Sequence, residues 1–373
     1  MSQFKSKFFH ITYTKILRPI VFKIDPEKTH DIFLKIGSIL GKFGITRKIC
    51  SWAFNNSNPK LSQEIAGIRF KNPVGLSAGF DKNADLINII PHVGFSFIQI
   101  GTVTNEAYEG NPKPRLTRLP KTKGLIVNYG LKNIGIDQIL PKVKASRHQE
   151  IITSFSVGKT NNKETVDVEA GIKNYIECLK KINISELGDF ITINISCPNT
   201  FGGEPSTNVE RLEKLLKEMQ KLNIKKKIFI KMPLDKSWAK FKELLDLCIK
   251  YKITGVIIAN LAKDYQDETI KEKIPKEIKG GISGLPTQKP SNELISKTYQ
   301  EFGKELIIIG AGGIFSAEDA YEKIKCGASL VQLITGMIYE GPQLIGQINQ
   351  KLVAFLKEDG YKNISEAIGA NHK

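Results

Sequence analysis

The stretch "ITINISCPNTFGG", residues 191–203, ends a β-branched run in Asn194, Ser196, Cys197 and Asn199. Amide side chains hold a polar ligand by donating and accepting at fixed points. A thiol, with an ordinary pKa of about 8.5, exchanges its proton much nearer neutrality than a serine hydroxyl does. Pro198 turns the chain off the run. Other apolar runs end in the same manner, in "SAGFDKN" (77–83), "GTVT" (101–104), Lys231, Asn260, "GAGG" (310–313) and Thr335-Gly336. A buried polar group without a partner costs about 1–3 kcal/mol, so polar residues at so many run ends imply a polar ligand and not a series of turn caps. "GAGGI", followed by a helical pattern from Ser316, offers unhindered backbone N–H groups and a helix start, the means by which a late barrel loop holds phosphate. "ITGM" at 334–337 adds a second turn of this kind.

These ends need a frame that gathers them. From residue 74 the runs "VGLSAGF", "FIQIGTV", "ITSFSVG", "FITINIS", "IFIKMPL", "GVIIANL", "LIIIGAGG" and "LVQLITG" recur between longer stretches with helical spacing, at 207–222, 238–251, 290–302 and 316–325. Polar or Gly-rich chemistry follows nearly every run instead of one switch point. The pattern therefore predicts an α/β fold, a (β/α)8 TIM barrel, in preference to an open doubly wound sheet. Before the barrel, 8–23 and 29–44 read as two helices separated by "DPEKTH", whose Asp25 and Pro26 suit a helix start. Residues 1–50 thus form a small N-terminal helical extension and 51–373 the barrel. "NNSNPKLSQEIAGIRFKNP" reads as a linker and a hairpin that closes the barrel floor.

The chain has 373 residues, 41% hydrophobic, and a net charge of +17. Most lysines lie in solvated helical faces such as "RLEKLLKEMQKLNIKKK", where they alternate with Glu, and no nucleic-acid motif accompanies them, so nucleic acid is excluded as a partner. Five dispersed cysteines without a C-x-x-C pair argue against a zinc site or a disulfide framework and for a reducing compartment. The start, interrupted by Lys15 and Arg18, suits neither a membrane span nor a cleaved leader. No metal site is expected.

The motifs "SAGFDKNA", "GTVT", "GNPKPRL", "INISCPNT", "GGISG", "IIGAGGI" and "GASLVQLITG" resemble those of the dihydroorotate dehydrogenases, flavin enzymes of pyrimidine synthesis. "DPEKTH" and the C-terminal "AIGANH" are similar to the quinone-linked, membrane-associated class. The resemblance implies FMN as cofactor, dihydroorotate and orotate as substrate and product, a quinone as acceptor, and a peripheral place on the cytoplasmic face of a membrane. It implies that Ala78, Gly79, Lys82, Thr102, Ser156, Asn194, Lys231, Gly284, Gly312, Gly313, Ile334 and Thr335 bind FMN. Lys82, Asn128, Asn194, Asn199 and Asn260 would bind substrate, and His30 and Arg118 would border the quinone site. Cys197 would be the base that removes the C5 proton while hydride leaves C6. Lys5, Lys7, Lys15 and Arg18, interleaved with Phe8, Phe9, Ile11, Ile16 and Leu17, suit helices lying on anionic lipid.

The chain departs from the family pattern at several positions. The quinone-linked class usually carries serine where Cys197 stands. Val127 replaces a substrate-binding Asn, with Asn128 displaced by one residue, and Ser156, Ala259, Leu261 and Ile334 replace other expected side chains. Two alternatives follow: a related FMN barrel using fumarate, another acceptor or another dihydropyrimidine, and a non-catalytic flavin- or nucleotide-binding protein.

Overall fold

A computed structural model describes residues 3–201 and 207–373; Gly202 and Gly203, which close the segment quoted first, lie outside the described residues. In chain order the strands are β1 (Gln63–Ile65), β2 (Ile68–Phe70), β3 (Val74–Leu76), β4 (Phe97–Val103), β5 (Leu116–Leu119), β6 (Gly124–Val127) and β7 (Ile152–Val157). They continue as β8 (Phe190–Asn194), β9 (Lys227–Lys231), β10 (Gly255–Ile258), β11 (Gly281–Gly284), β12 (Ile307–Ala311) and β13 (Leu330–Leu333). β3, β4, β7, β8, β9, β10, β12 and β13 close into one parallel barrel. These are the eight runs expected from sequence. Helices Val209–Gln220, Trp238–Lys250, Gln288–Phe302 and Ala317–Lys325 fall on the expected helical stretches and pack outside.

Side chains alternate along a strand, and the alternation makes layers inside the barrel. Phe97, Phe190, Phe229, Ile257, Ile309 and Leu330 form a buried apolar floor, and the β1–β2 hairpin caps it with Ile65 and Phe70. Gly75 is required here, because a Cβ would lie 2.1 Å from the Phe97 ring. Two residues higher on the same strands stand Gln99, Thr192, Lys231 and Gln332, all buried. The interior therefore changes from hydrocarbon to polar groups within one step of the pleat.

The sequence reading did not anticipate a second sheet, antiparallel, of order β11-β6-β5. It sits at the mouth, where Leu125 and Val127 of β6 and Ser283 and Gly284 of β11 join the cavity wall.

The N-terminal part has α1 (Gln3–Ile11), which continues through a π-helical segment, Thr12–Leu17, into α2 (Arg18–Val21), then α3 (Pro26–Lys42) and α4 (Gly44–Phe54). Asp25 caps α3 by accepting from Lys28 N at 2.9 Å, and Pro26 occupies its first turn. Gly37 and Gly41 let α3 sit against Leu86 and Asn88, which an added Cβ would approach to 2.6 and 2.9 Å. α4, not foreseen as a helix, runs past residue 50. No helix among the described residues is long and apolar enough to cross a membrane.

Candidate active site

One cavity opens at the carboxyl ends of the barrel strands, between the mouth, the second sheet and α3. After β3, Gly79 (φ +111°) donates to the Gly101 carbonyl at 2.7 Å, and Gly101 donates to that of Asp81 at 2.9 Å. The buried Asp81 carboxylate accepts from the amides of Asp85 (2.9 Å) and Leu86 (2.8 Å), which folds the loop on itself. Ala78, Gly79 and Lys82 of this loop line the cavity. Lys82 Nζ stands 3.9 Å from the centroid of the Tyr129 ring, a cation–π contact, and burial lowers its pKa to about 8.

The segment after β8 is an amide network. Asn194 Nδ2 donates to Thr102 Oγ1 at 2.9 Å, and Asn260 Nδ2 donates to Ser196 O at 2.8 Å and to Ser196 Oγ at 2.9 Å. Ser196 Oγ donates to Lys231 O at 2.9 Å, and Asn199 Nδ2 donates to Val127 O at 2.7 Å. Donation to backbone carbonyls fixes the orientation of the Asn199 and Asn260 amides. Their Oδ1 atoms are left without a protein donor among the described residues, ready to accept from a ligand N–H. Cys197 is partly exposed at the cavity wall. Burial lowers the pKa of Lys231 to about 8, and the Cys197 thiol is the neighbour that opposes this, so the two groups are electrostatically paired.

Gly284, Gly312, Gly313, Ile334 and Thr335 form the opposite wall. The amides of Gly312 and Gly313 donate to no protein acceptor among the described residues. Gly313 takes a positive φ of 67°, and its carbonyl accepts from Gln288 Nε2 at 2.7 Å. Asp319 holds the same loop by accepting from Phe315 N at 2.8 Å. Gly336 admits the close approach of the two loops, since a Cβ would lie 1.8 Å from Ile314 O. The helix that starts at Thr335 has no side-chain cap, so its first amides also face outward unpaired by a cap.

His30 lines the cavity from α3, where Nε2 donates to Phe80 O at 2.8 Å; burial, and then the Lys82 charge, push its pKa down. Three expected residues are not brought to the cavity wall. Ser156 points to Thr102, its Oγ 3.0 Å from Thr102 Oγ1, because serine is too short to pass that hydroxyl. Asn128 follows Val127 on an extended strand end, so its side chain leaves on the other face and accepts from Asn111 Nδ2 at 3.0 Å. Arg118 instead staples the α2–α3 turn, donating to Ile24 O (2.6 Å), Phe22 O (3.2 Å) and Thr29 Oγ1 (2.9 Å).

Among the wall residues not anticipated from sequence, Tyr129 and Gln332 stand out by their polar atoms. Tyr129 carries no motif signal, and its buried hydroxyl has no partner among the described residues. Gln332 did have one, as the single polar residue in "LVQLI". Neither polar atom of its fully buried side chain has a partner among the described residues. No Asp or Glu lines the cavity among the described residues.

The family model described as dihydroorotate dehydrogenase matches residues 60–356. A dihydroorotate dehydrogenase (quinone) of Sulfurimonas denitrificans is 38% identical over 97% of this chain and 100% of that protein. One from Buchnera aphidicola is 39% identical over 90% and 99%, respectively. A crystal structure of the Eimeria tenella DHODH in complex with ferulenol superimposes with a TM-score of 0.84 at 27% identity, covering 94% of this chain and 96% of that one.

Proposed function

This chain belongs to the dihydroorotate dehydrogenase family, and from that premise we propose how its own side chains carry the reaction. It is an oxidoreductase that converts dihydroorotate to orotate with a quinone as acceptor, in pyrimidine biosynthesis. FMN fits the mouth of the barrel. The unengaged amides of Gly312 and Gly313, with the turn at Thr335, suit its phosphate. Lys231, buried with no carboxylate beside it among the described residues, suits a ring that gains negative charge, and the small residues Ala78, Gly79 and Gly284 leave room for a flat ring system. Bound there, FMN would supply a two-electron acceptor for the hydride from C6 and a carrier of those electrons to quinone.

The substrate is a cyclic ureide with a carboxylate. Lys82 supplies the charge for the carboxylate, and the free Oδ1 atoms of Asn199 and Asn260 accept from ring N–H groups. Asn194, tied to Thr102 and next to Asn260, completes the cradle. Cys197 Sγ takes the proton from C5, the C5–H electron pair becomes the C5=C6 double bond, and the C6–H electron pair leaves C6 with the hydride. A protonated Lys231 beside the sulfur favours the thiolate that the step requires.

His30 and Phe80 mark the side from which quinone approaches. Thirteen of the seventeen large apolar side chains exposed among the described residues precede residue 55. Ile32, Ile36 and Ile39 form a stripe on α3, and Ile45, Ile49 and Trp52 form another on α4. This part of the molecule docks peripherally on a bilayer, with apolar side chains in the lipid and lysines at the headgroups.

The observation that carries the reading is a cavity with two buried lysines and a thiol but no acid among its described lining residues. The test is anaerobic mixing of the purified protein with dihydroorotate. A yellow protein that bleaches, beside a Cys197→Ala variant that stays yellow, is the expected result. Colourless protein would remove FMN from the account, and wild-type bleaching of the variant would assign the base elsewhere.

A further inference from the structure

Lys323 takes no part in the chemistry above, yet its side chain is completely buried. It lies on helix Ala317–Lys325, directly after the Gly312–Gly313 turn, and its stem runs behind Gly310, where a Cβ would come within 3.4 Å of its Cδ. Its Nζ donates to Ser291 Oγ at 2.7 Å and to Asn292 Oδ1 at 2.7 Å. Ser291 Oγ donates in turn to the carbonyl of Ala311 at 2.6 Å. Two hydrogen bonds therefore join the ammonium to the residue that precedes the glycine turn.

A buried ammonium is expensive unless an anion faces it, and an apolar side chain of similar length would pack this position without that cost. The groups that face Lys323 do not supply the anion. From the helix Gln288–Phe302 come Ser291 and Asn292, both neutral. From its own helix comes Asp319, and from that helix's C-cap comes Cys326. Asp319 makes no ion pair with it and is engaged by Phe315 N and Gln288 Nε2, and the Cys326 thiol is pushed up to about 11, chiefly by burial. Burial in turn brings Lys323 down to about 7. On the far side of Ala311 stand the amides of Gly312 and Gly313, which donate to no protein acceptor among the described residues.

We propose that Lys323 is the buried counter-charge of the phosphate grip, so that binding of a phosphorylated flavin is coupled to uptake of a proton by this side chain. The proposal rests on the reading that Gly312 and Gly313 hold the phosphate of FMN. A phosphate dianion there raises the proton affinity of Lys323 through a low-dielectric interior, and by linkage the protonated lysine tightens the phosphate. The direction is fixed: the advantage of FMN over riboflavin is greatest where Lys323 is protonated in the complex and is lost as pH rises through its pKa in the bound form.

The full chain, freed of flavin, is titrated calorimetrically with FMN and with riboflavin in buffers of different ionisation heat. For a one-unit rise from about 7, FMN takes up about half a proton more than riboflavin at pH 7.5, and its preference falls about fivefold from pH 7 to pH 9. The phosphate cannot be the source, since its second ionisation near 6 leaves it a dianion there. Riboflavin subtracts whatever Lys231 and Lys82 contribute at the ring and the substrate. Lys323→Met is expected to abolish the difference in uptake while still binding riboflavin within about twofold of wild type. Equal uptake for both flavins in the wild type overturns the proposal, and so does an undiminished difference in Lys323→Met. The wild-type measurement decides even if that variant does not fold. Failure of both flavins to bind would instead overturn the cofactor reading beneath it.

Discussion

The barrel mouth and the N-terminal helices border the same cavity, yet each inverts the usual distribution of residues in its own way. At the mouth, Lys82, Lys231, Asn194 and Gln332 are buried, and Gln332 lacks any partner among the described residues. On α3, on α4 and at Phe43 between them, Ile36, Phe43, Ile45, Ile49 and Trp52 are exposed. Buried polar groups and exposed hydrocarbon both raise the free energy of an isolated protein, so each marks a surface shaped for something else. The mouth suits an anion with hydrogen-bonding edges, and the exposed helix faces suit an apolar neighbour. An enzyme that takes electrons from a charged pyrimidine and hands them to a quinone needs both, side by side.

The largest effect expected on this comparison is at Cys197. Removing a general base costs about 10²–10⁴ in rate, so Cys197→Ala should slow bleaching by dihydroorotate about 10³-fold in stopped flow while the flavin stays bound. Cys197→Ser, which keeps a proton acceptor of the type usual in the quinone-linked class, should lose less than the alanine variant. Equal loss in both would mean that position 197 serves as packing.

The lysines come next. A Lys82 that must be charged to hold a carboxylate, with a free-enzyme pKa near 8, makes kcat/KM fall above about pH 8, approaching tenfold per unit. Lys231, also near 8, adds to the same alkaline limb. Lys82→Met should raise KM for dihydroorotate more than it lowers kcat. A flat profile from pH 7 to 10 would show that neither ammonium is needed.

Much of this contrast is legible in the sequence, for physical reasons that differ between elements. The barrel strands show because each is a β-branched run buried on both faces, and the polar residue that ends it is conspicuous. β6 and β11 do not show, since Gly124–Val127 pairs with Gly281–Gly284 far along the chain and neither has a run long enough to display a period. α4 lacks a side-chain cap, which leaves its start without a signal. At the site, Lys82, Cys197, Asn199 and Lys231, singled out by motif, line the cavity. Position along a motif does not say which face of an extended chain a side chain takes, which is why Ser156 and Asn128 turn elsewhere. Arg118 is set by long-range contacts to the α2–α3 turn that no local pattern encodes.

The apolar side of the comparison breaks more gently. Ile36→Asp with Ile49→Asp places charge in both exposed stripes and leaves the cavity untouched. Co-sedimentation with vesicles containing anionic lipid should drop about tenfold, whereas bleaching by dihydroorotate in solution should be unchanged. Because both side chains are already in water, unfolding free energy should move by no more than about 0.5 kcal/mol each. Vesicle binding as strong as wild type would take the stripes out of the membrane account.

The smallest effect separates two neighbouring asparagines that sequence position alone treats alike. Asn199 lines the cavity, and its Nδ2 is spent on Val127 O, so its Oδ1 is the atom left for the substrate. Asn199→Ala deletes an acceptor facing a ligand N–H and should raise KM about tenfold, within the usual cost of an unpaired buried donor. Asn128 reaches the same region only at second hand: its Oδ1 accepts from Asn111 Nδ2, which also donates to Asn199 O at 2.9 Å. Asn128→Ala leaves that second bond in place, so KM should change by less than about twofold. A large rise in KM from Asn128→Ala would mean that this strand end turns over when substrate binds, bringing Asn128 to the wall in place of Val127.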